Sequence, residues 1–204
     1  MRNLKISFFR FIMGLKRPSK QKNIRSLNKQ GELLSSFKFR EAAPEDIPAL
    51  ANLHARTWQE TYWTALSPPS SETRRYQWQQ QFKVTDGSWF CYVVENKNKE
   101  LVGFAKGQTY NHPDLPEFSG ELNKIYLLRK YQRIGLGRKL LGHVARRFLL
   151  QGITNMVLFG TPENPSSKFH DAMNGEKLLA KNDEFHGGYC WRDLQKLADI
   201  CPVD

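Results

Sequence analysis

The sequence predicts an α/β (α+β) domain built on a mixed, mostly antiparallel sheet of about seven strands with flanking helices. Three observations lead there. Extended and helical-period runs follow one another as strand, two helices, three strands, helix, strand, helix, two strands. Short turns rich in Gly, Asn and Asp separate several neighbouring strands, so hairpins dominate. One long helical run, about 135–151, joins two strands, a spacing that makes those two parallel. The 204 residues, 40% hydrophobic and 12% aromatic, hold one such domain plus an extra segment.

Order begins near Phe37–Ala42, where Phe37 and Phe39 alternate with Lys38 and Arg40. Pro44-Glu45-Asp46 opens a helix with acids at its positive end. Ile47, Leu50, Ala51, His54, Trp58 and Tyr62 share one face of it, and Leu66-Ser67-Pro68-Pro69 ends it. A second helix, about Ser71–Phe82, follows the caps Ser70 and Ser71. Trp89–Glu95 and Leu101–Gln108 read as a hairpin, and Glu121–Leu128 as the next strand. The helix at 135–151 sets Leu136, Leu140, Leu141, Val144 and Phe148 on one side, with Gly152 as its stop. Met156–Gly160 is apolar throughout, as a strand covered on both faces should be. Asn164-Pro165 starts the last helix and Asn174-Gly175 stops it. Two closing strands, near 177–185 and 188–194, meet at His186-Gly187-Gly188.

The net charge of +11 is unevenly placed. Residues 1–36 hold nine basic side chains against Glu32 alone, and so carry +8 of it. We read 1–36 as a basic N-terminal extension, with 18–36 a linker, and 37–204 as the folded domain. The strands lack the interleaved basic and aromatic residues that stack bases, so nucleic acid is not an expected partner. Leu4, Phe8, Phe11, Ile12 and Leu15 fall on one side of a basic amphipathic helix. Such a helix suits an anionic membrane surface, a second subunit or the chain's own domain. Its apolar stretch is broken by Arg10 and is too short to span a bilayer. Three scattered cysteines, Cys91, Cys190 and Cys201, argue against a disulfide framework or a zinc site and fit a reducing cytoplasm. No metal spacing stands out.

Residues 130–142, KYQRIGLGRKLLG, follow an apolar strand and open a helix. Backbone N–H groups there lack helical partners, and the helix dipole adds positive potential. Glycine lets a phosphate oxygen approach without meeting a Cβ. The loop is therefore shaped for a phosphate, with Arg133 and Arg138 as added charge. It is neither a full GxGxxG, since Leu140 stands at the third position, nor a nucleotide P-loop.

The QRIGLG loop, set in GELNKIYLLRKYQRIGLGRKLL, resembles the acyl-CoA loop of the GNAT acyltransferase superfamily. The stretches FREAAPEDIPALANLHARTWQETY, ENPSSKFHDAMNGEK and YCWRDL resemble further parts of that fold, in order. The resemblance covers about 37–194. It implies a parallel strand pair, 121–128 and 154–160, splayed to admit the coenzyme arm, with acetyl-CoA as co-substrate. Backbone groups of Tyr126, Leu127 and Leu128 would meet the pantetheine. Gln132, Arg133, Ile134, Gly135, Leu136, Gly137 and Arg138 would hold the diphosphate, and Asn164, Ser167 and Phe169 would flank the arm. Trp58, Tyr62 and Trp63 would line the acceptor pocket.

The resemblance also implies direct transfer of an acetyl group to a primary amine of a small molecule or peptide. Glu121, at the start of the central strand, is the candidate base. The usual tyrosine acid of the last helix is here His170, after Phe169, with Tyr189 as the fallback donor. A catalytically degenerate acyl-CoA-binding or interaction module of the same fold, acting through its basic tail, is the competing expectation.

Overall fold

A computed structural model of the chain describes residues 19–29, 31–62, 67–162, 164–180 and 182–203. The proposed amphipathic helix within 1–18, and Trp63, lie outside the described residues. The helices are α1 (Lys20–Lys29), α2 (Ile47–Thr61), α3 (Ser71–Phe82), α4 (Leu136–Leu150), α5 (Ser167–Ala172) and α6 (Leu194–Ile200). The strands are β1 (Lys38–Glu41), β2 (Trp89–Glu95), β3 (Leu101–Thr109), β4 (Gly120–Leu127), β5 (Met156–Leu158), β6 (Glu176–Leu179) and β7 (Phe185–Trp191). They form one seven-stranded sheet in the order β1-β2-β3-β4-β5-β7-β6. Every pairing is antiparallel except β4 with β5, as the helix between them requires.

The alternation along β3 sorts the two layers. Gly103 and Gly107 face α4: a side chain at 107 would strike Phe90, whose ring packs edge-on against Phe148. Phe104 points the other way, into His54 of α2 and Trp78 of α3. Helix α4 buries Leu136, Leu140, Leu141, Val144 and Phe148, the stripe its spacing predicts. Each such burial stabilises by about 1.5–3 kcal/mol. Helix α2 is anchored at its start by Arg40 of β1. Two guanidinium nitrogens donate to the Asp46 carboxylate at 2.6 and 2.8 Å, and the group also reaches Glu95 of β2 at 2.6 Å. That guanidinium holds the Asp46 carboxyl below the usual carboxylate range.

Four expectations give way to the structure. The stretch 18–36 is not a bare linker: α1 forms within it, and Leu27 is buried in the main core. Helix α2 ends at Thr61 rather than at the prolines. The last two strands turn at Ala180–Glu184, where Ala180 and Asp183 close the reversal. His186, Gly187 and Gly188 instead lie inside β7. Gly187 is needed there because a Cβ would sit 2.5 Å from the backbone of Thr161. Residues 192–194, read as strand, hold the Asp193 cap and the start of α6, an apolar-faced helix too short to show its period in the sequence.

Candidate functional site

Strand β4 runs from 120 to 127, yet it pairs with β5 only at Gly120 with Met156 and Glu121 with Val157. Beyond Glu121 that edge of β4 has no strand beside it among the described residues, while the opposite edge stays paired to β3 as far as Leu127. The two parallel strands thus part, and the opening leads to the glycine loop.

The loop begins with a tight turn at Arg129–Tyr131, pinned by the buried Tyr131 ring. The Gln132 side-chain amide donates to the Leu127 carbonyl at 2.9 Å and ties the loop back to the strand end. Arg133 and Gly135 then take positive φ, 66° and 100°. A left-handed bend at 135 favours glycine, and it starts α4 one residue later. Gly137 has a different rationale. A Cβ there would meet Leu127 and Phe169 no closer than 3.4 Å, so packing does not exclude a side chain.

Beside this loop lies a cavity of about 540 Å³ lined by Ser19, Arg133, Pro162, Asn164, Pro165, Ser167 and Lys168. It brings together Arg133, Asn164 and Ser167 as the sequence reading expects. It adds Lys168 and Ser19, which that reading missed. Arg138 is not part of it: its Nε donates to the Ile200 carbonyl of α6, on another side of α4. Ile134 and Leu136 are buried side chains, leaving only their main chain to serve the loop.

The extension contributes here as well. Asn23 of α1 is buried, and its amide donates to the carbonyls of Gln132 at 2.7 Å and Arg129 at 3.2 Å. Glu32 accepts from the Tyr131 hydroxyl at 3.3 Å. Helix α1 therefore fastens the first half of the loop, giving the Gln132 carbonyl a donor and the Arg129 carbonyl a second one.

The face of β4 toward α2 and α3 carries a row of polar side chains. Glu121 stands opposite Gln108, and Lys124 opposite Lys106, with Asn123 as the bulged residue between. Glu121 accepts from Gln108 at 2.8 Å and from Asn123 at 2.7 Å. Lys124 donates to the Asn123 side-chain oxygen. Lys106, only 5% exposed, donates to Gln81 and Gln108, both at 2.7 Å. Arg74 of α3, 9% exposed, donates from Nη1 to Gln77 at 2.9 Å, while its Nε is buried without a partner. Trp78 Nε1 and His54 Nδ1 are likewise buried without partners among the described residues. Tyr126 and Tyr62 complete the row; Asn164 Nδ2 reaches the Tyr62 hydroxyl at 3.2 Å. Trp58 packs on Tyr62 at 5.0 Å.

Burial sets the charge states in this row. Desolvation lowers the Lys106 ammonium to about 8 and also lowers Lys124 and Arg74. His54 is pushed down to about 3, chiefly by burial and then by Arg74 and Lys124, so its ring is neutral. Arg74, Lys106 and Lys124 form no ion pair among the described residues. A signal for this row was present in the sequence: Lys106 and Gln108 in β3, and Glu121, Asn123 and Lys124 in β4, interrupt strands of apolar residues.

Helix α5 closes the other side. Asn164 accepts from the Ser166 amide at 2.9 Å and hydroxyl at 2.8 Å, forming the turn that precedes the helix. Since the Ser166 hydroxyl is donated to Asn164, His170 Nε2, 3.1 Å away, is the donor to Ser166. Its Nδ1 is buried without a partner. Burial lowers His170 to about 4, leaving a neutral ring at pH 7 in place of the imidazolium the sequence suggested. The Tyr189 ring lies 5.2 Å from it, and its hydroxyl donates to Asp171 at 3.0 Å. Among the described residues no group of three or more potential ligands is placed to hold a metal, and no helix is long and apolar enough to cross a membrane. The three cysteines are free and buried.

Comparison with known proteins places this arrangement. The family model "Acetyltransferase (GNAT) family" matches residues 51–175. The chain is 30% identical over 174 residues to YuaI of Bacillus subtilis (strain 168), described as an uncharacterized N-acetyltransferase; the match covers 79% of this chain and 96% of that one. Among solved structures, the PaiA N-acetyltransferase of Thermoplasma acidophilum in complex with coenzyme A superposes with a TM-score of 0.59 at 17% identity, over 76% of this chain and 98% of that one. The spermidine N-acetyltransferase of Vibrio cholerae in complex with CoA and spermine gives 0.56 at 17% identity, over 80% and 98%.

Proposed function

Because the chain belongs to the acetyltransferase (GNAT) family, we propose that it is an acetyl-CoA-dependent N-acetyltransferase that acetylates a primary amine of a small molecule or peptide by direct attack. The observation that carries this reading is the parting of β4 from β5 after Glu121, with the opening aimed at a loop bent through left-handed residues 133 and 135. The residues there fit coenzyme A. Amides at the start of a 15-residue helix, with Arg133 and Lys168 beside them, suit a diphosphate. The unpaired edge of β4 at Tyr126 and Leu127, continuing into Leu128, offers main-chain groups to an amide-containing arm. Asn164, Ser167 and Phe169 border the same space. We read residues 37–204 as the transferase domain and 1–36 as an extension, of which α1 braces that domain.

Bound there, acetyl-CoA would supply an activated acetyl group, the amine nitrogen bonding to its carbonyl carbon as the carbon–sulfur bond breaks. An aliphatic ammonium has a pKa of about 10.4, so the acceptor must first lose a proton. Glu121, held as an acceptor by two side-chain amides, takes that proton, directly or through a water. Tyr62 and Trp58 shape the acceptor end, with Trp63 next in sequence. The proton for the departing sulfur need not come from His170, which is neutral, or from Tyr189, whose hydroxyl is committed to Asp171. A thiol has a pKa near 8.5, so a thiolate leaves with little assistance and is protonated by solvent.

Titration calorimetry with acetyl-CoA, followed by thiol release in a panel of amines, tests the reading. Binding with amine-dependent release is expected. Binding without release for any amine would favour a non-catalytic coenzyme-binding module, and no binding at all would overturn the assignment.

A further inference from the structure

Resting on the transferase reading above, we infer that the amine this protein acetylates also bears an anionic group, a carboxylate or a phosphate, which Arg74 and Lys124 receive with Lys106 beside them. The row carries more positive charge than its one carboxylate, Glu121, offsets. Three cations converge on the face of β4 that carries Glu121, and Glu121 is the carboxylate of that row. Arg74 and Lys106 are more than nine-tenths buried and have neutral amide oxygens as hydrogen-bond partners rather than carboxylates. Buried charges left without a counter-charge are costly, so proteins pair them or reserve them for a ligand.

The hydrogen-bond donors agree. Arg74 Nε and Trp78 Nε1 are donors with no acceptor, buried on the same helix α3 one turn apart. His54 Nδ1 is a third atom without a partner, and the His54 ring packs against Trp78 at 5.9 Å and Tyr126 at 5.6 Å. An oxyanion supplies the acceptors these atoms lack.

The row also orders the ligand. Glu121 sits where β4 leaves β5, so the amine belongs at that end. Lys124 and Tyr126 follow along the strand and stay partly exposed. At about 3.3 Å per residue, the anion lies roughly 10 Å or less from the base, within reach of one small molecule. A polyamine such as spermidine would bring further cations to a surface that already has three. The specificity of a relative named for spermidine is therefore not expected here.

The test compares matched acceptors on the full chain. Acetyl-CoA binding is measured first by calorimetry; if it is absent, the transferase reading itself has failed and this inference falls with it. Thiol release is then measured for α-amino acids and short ω-amino acids against their primary amides, for phosphoethanolamine against ethanolamine, and for spermidine. At least one anionic amine should exceed its neutral partner by tenfold or more in kcat/KM. The substitution Arg74→Gln should raise KM for that acceptor by about tenfold or more, with a much smaller change for the neutral partner and for acetyl-CoA. Arg74→Lys, which keeps the charge but not the Nε donor, should fall between. Preference for spermidine or for the neutral partners, or release from no anionic amine, overturns the inference; so does an Arg74→Gln loss equal for both members of a pair. If Arg74→Gln does not fold, the acid-to-neutral ratio of the unmodified protein decides alone.

Discussion

The glycine loop, proposed to hold the coenzyme, follows the end of β4, and the polar row, proposed to hold the acceptor, lies along its face, yet the two are built from different material. The loop at 132–137 works through main chain: a left-handed Arg133, a left-handed Gly135 and the free amides of α4. Its buried side chains, Ile134 and Leu136, only anchor it. The row works through side chains drawn from α2, α3, β3 and β4, and its chemistry resides in which ones they are. A ligand shared by many enzymes can be gripped by backbone, which any sequence provides. A ligand peculiar to one enzyme needs groups that only particular residues supply.

That contrast can be broken by substitution. The largest effect belongs to the side-chain half. Glu121→Gln should lower kcat by about 10²–10⁴-fold while leaving acetyl-CoA affinity unchanged; stopped-flow or steady-state thiol release alongside calorimetry separates the two. A loss of coenzyme affinity equal to the loss in kcat would show that the two regions are not separable. Next comes conformation on the main-chain half. Gly135→Val places a β-branched residue at φ 100°, a strain of about 1–3 kcal/mol, and should weaken acetyl-CoA binding by about tenfold or more with kcat less affected.

Gly137→Ala sharpens the point. The added methyl meets its neighbours at 3.4 Å or more, and alanine favours a helix over glycine by about 1 kcal/mol. The melting temperature should hold or rise by about 2–4 °C, while acetyl-CoA affinity falls severalfold because the approach to the amides is covered. Unchanged affinity would mean that the second glycine has no part in the grip. The smallest effect is outside both regions. Ser70→Ala removes the oxygen that accepts from the Thr73 amide at 3.1 Å, at a cost of about 1 kcal/mol, and should lower the melting temperature by about 2–4 °C with kinetics unaltered.

The same contrast explains what was legible in the sequence. The glycine loop was readable because its cue is local: strand, Gly-x-Gly, helix within about twenty residues. The order of strands and the parallel pair followed from helix and turn spacing. The polar row was not assembled in advance, although Lys106 and Lys124 stand out in their strands, because Arg74, Lys106 and Lys124 come together only once α3 lies across β3 and β4. His170 was read as a proton donor from its identity; its charge depends on burial under Tyr189 and Trp191, which no spacing reveals. Helix α1 was missed for a related reason. Its sequence is polar almost throughout, and the buried Leu27 and Asn23 acquire meaning only against the loop they touch.

Asn23 spans 109 residues of sequence to hold the Gln132 carbonyl. If the loop holds coenzyme A as proposed, ordering of the amino-terminal helix and closure of the loop on it form one thermodynamic linkage, and linkage is reciprocal. Coenzyme added at saturation should slow amide hydrogen exchange across residues 20–29, a segment it need never touch. Any partner that pulls that helix away would, by the same equilibrium, weaken the acyl-donor binding proposed for the loop.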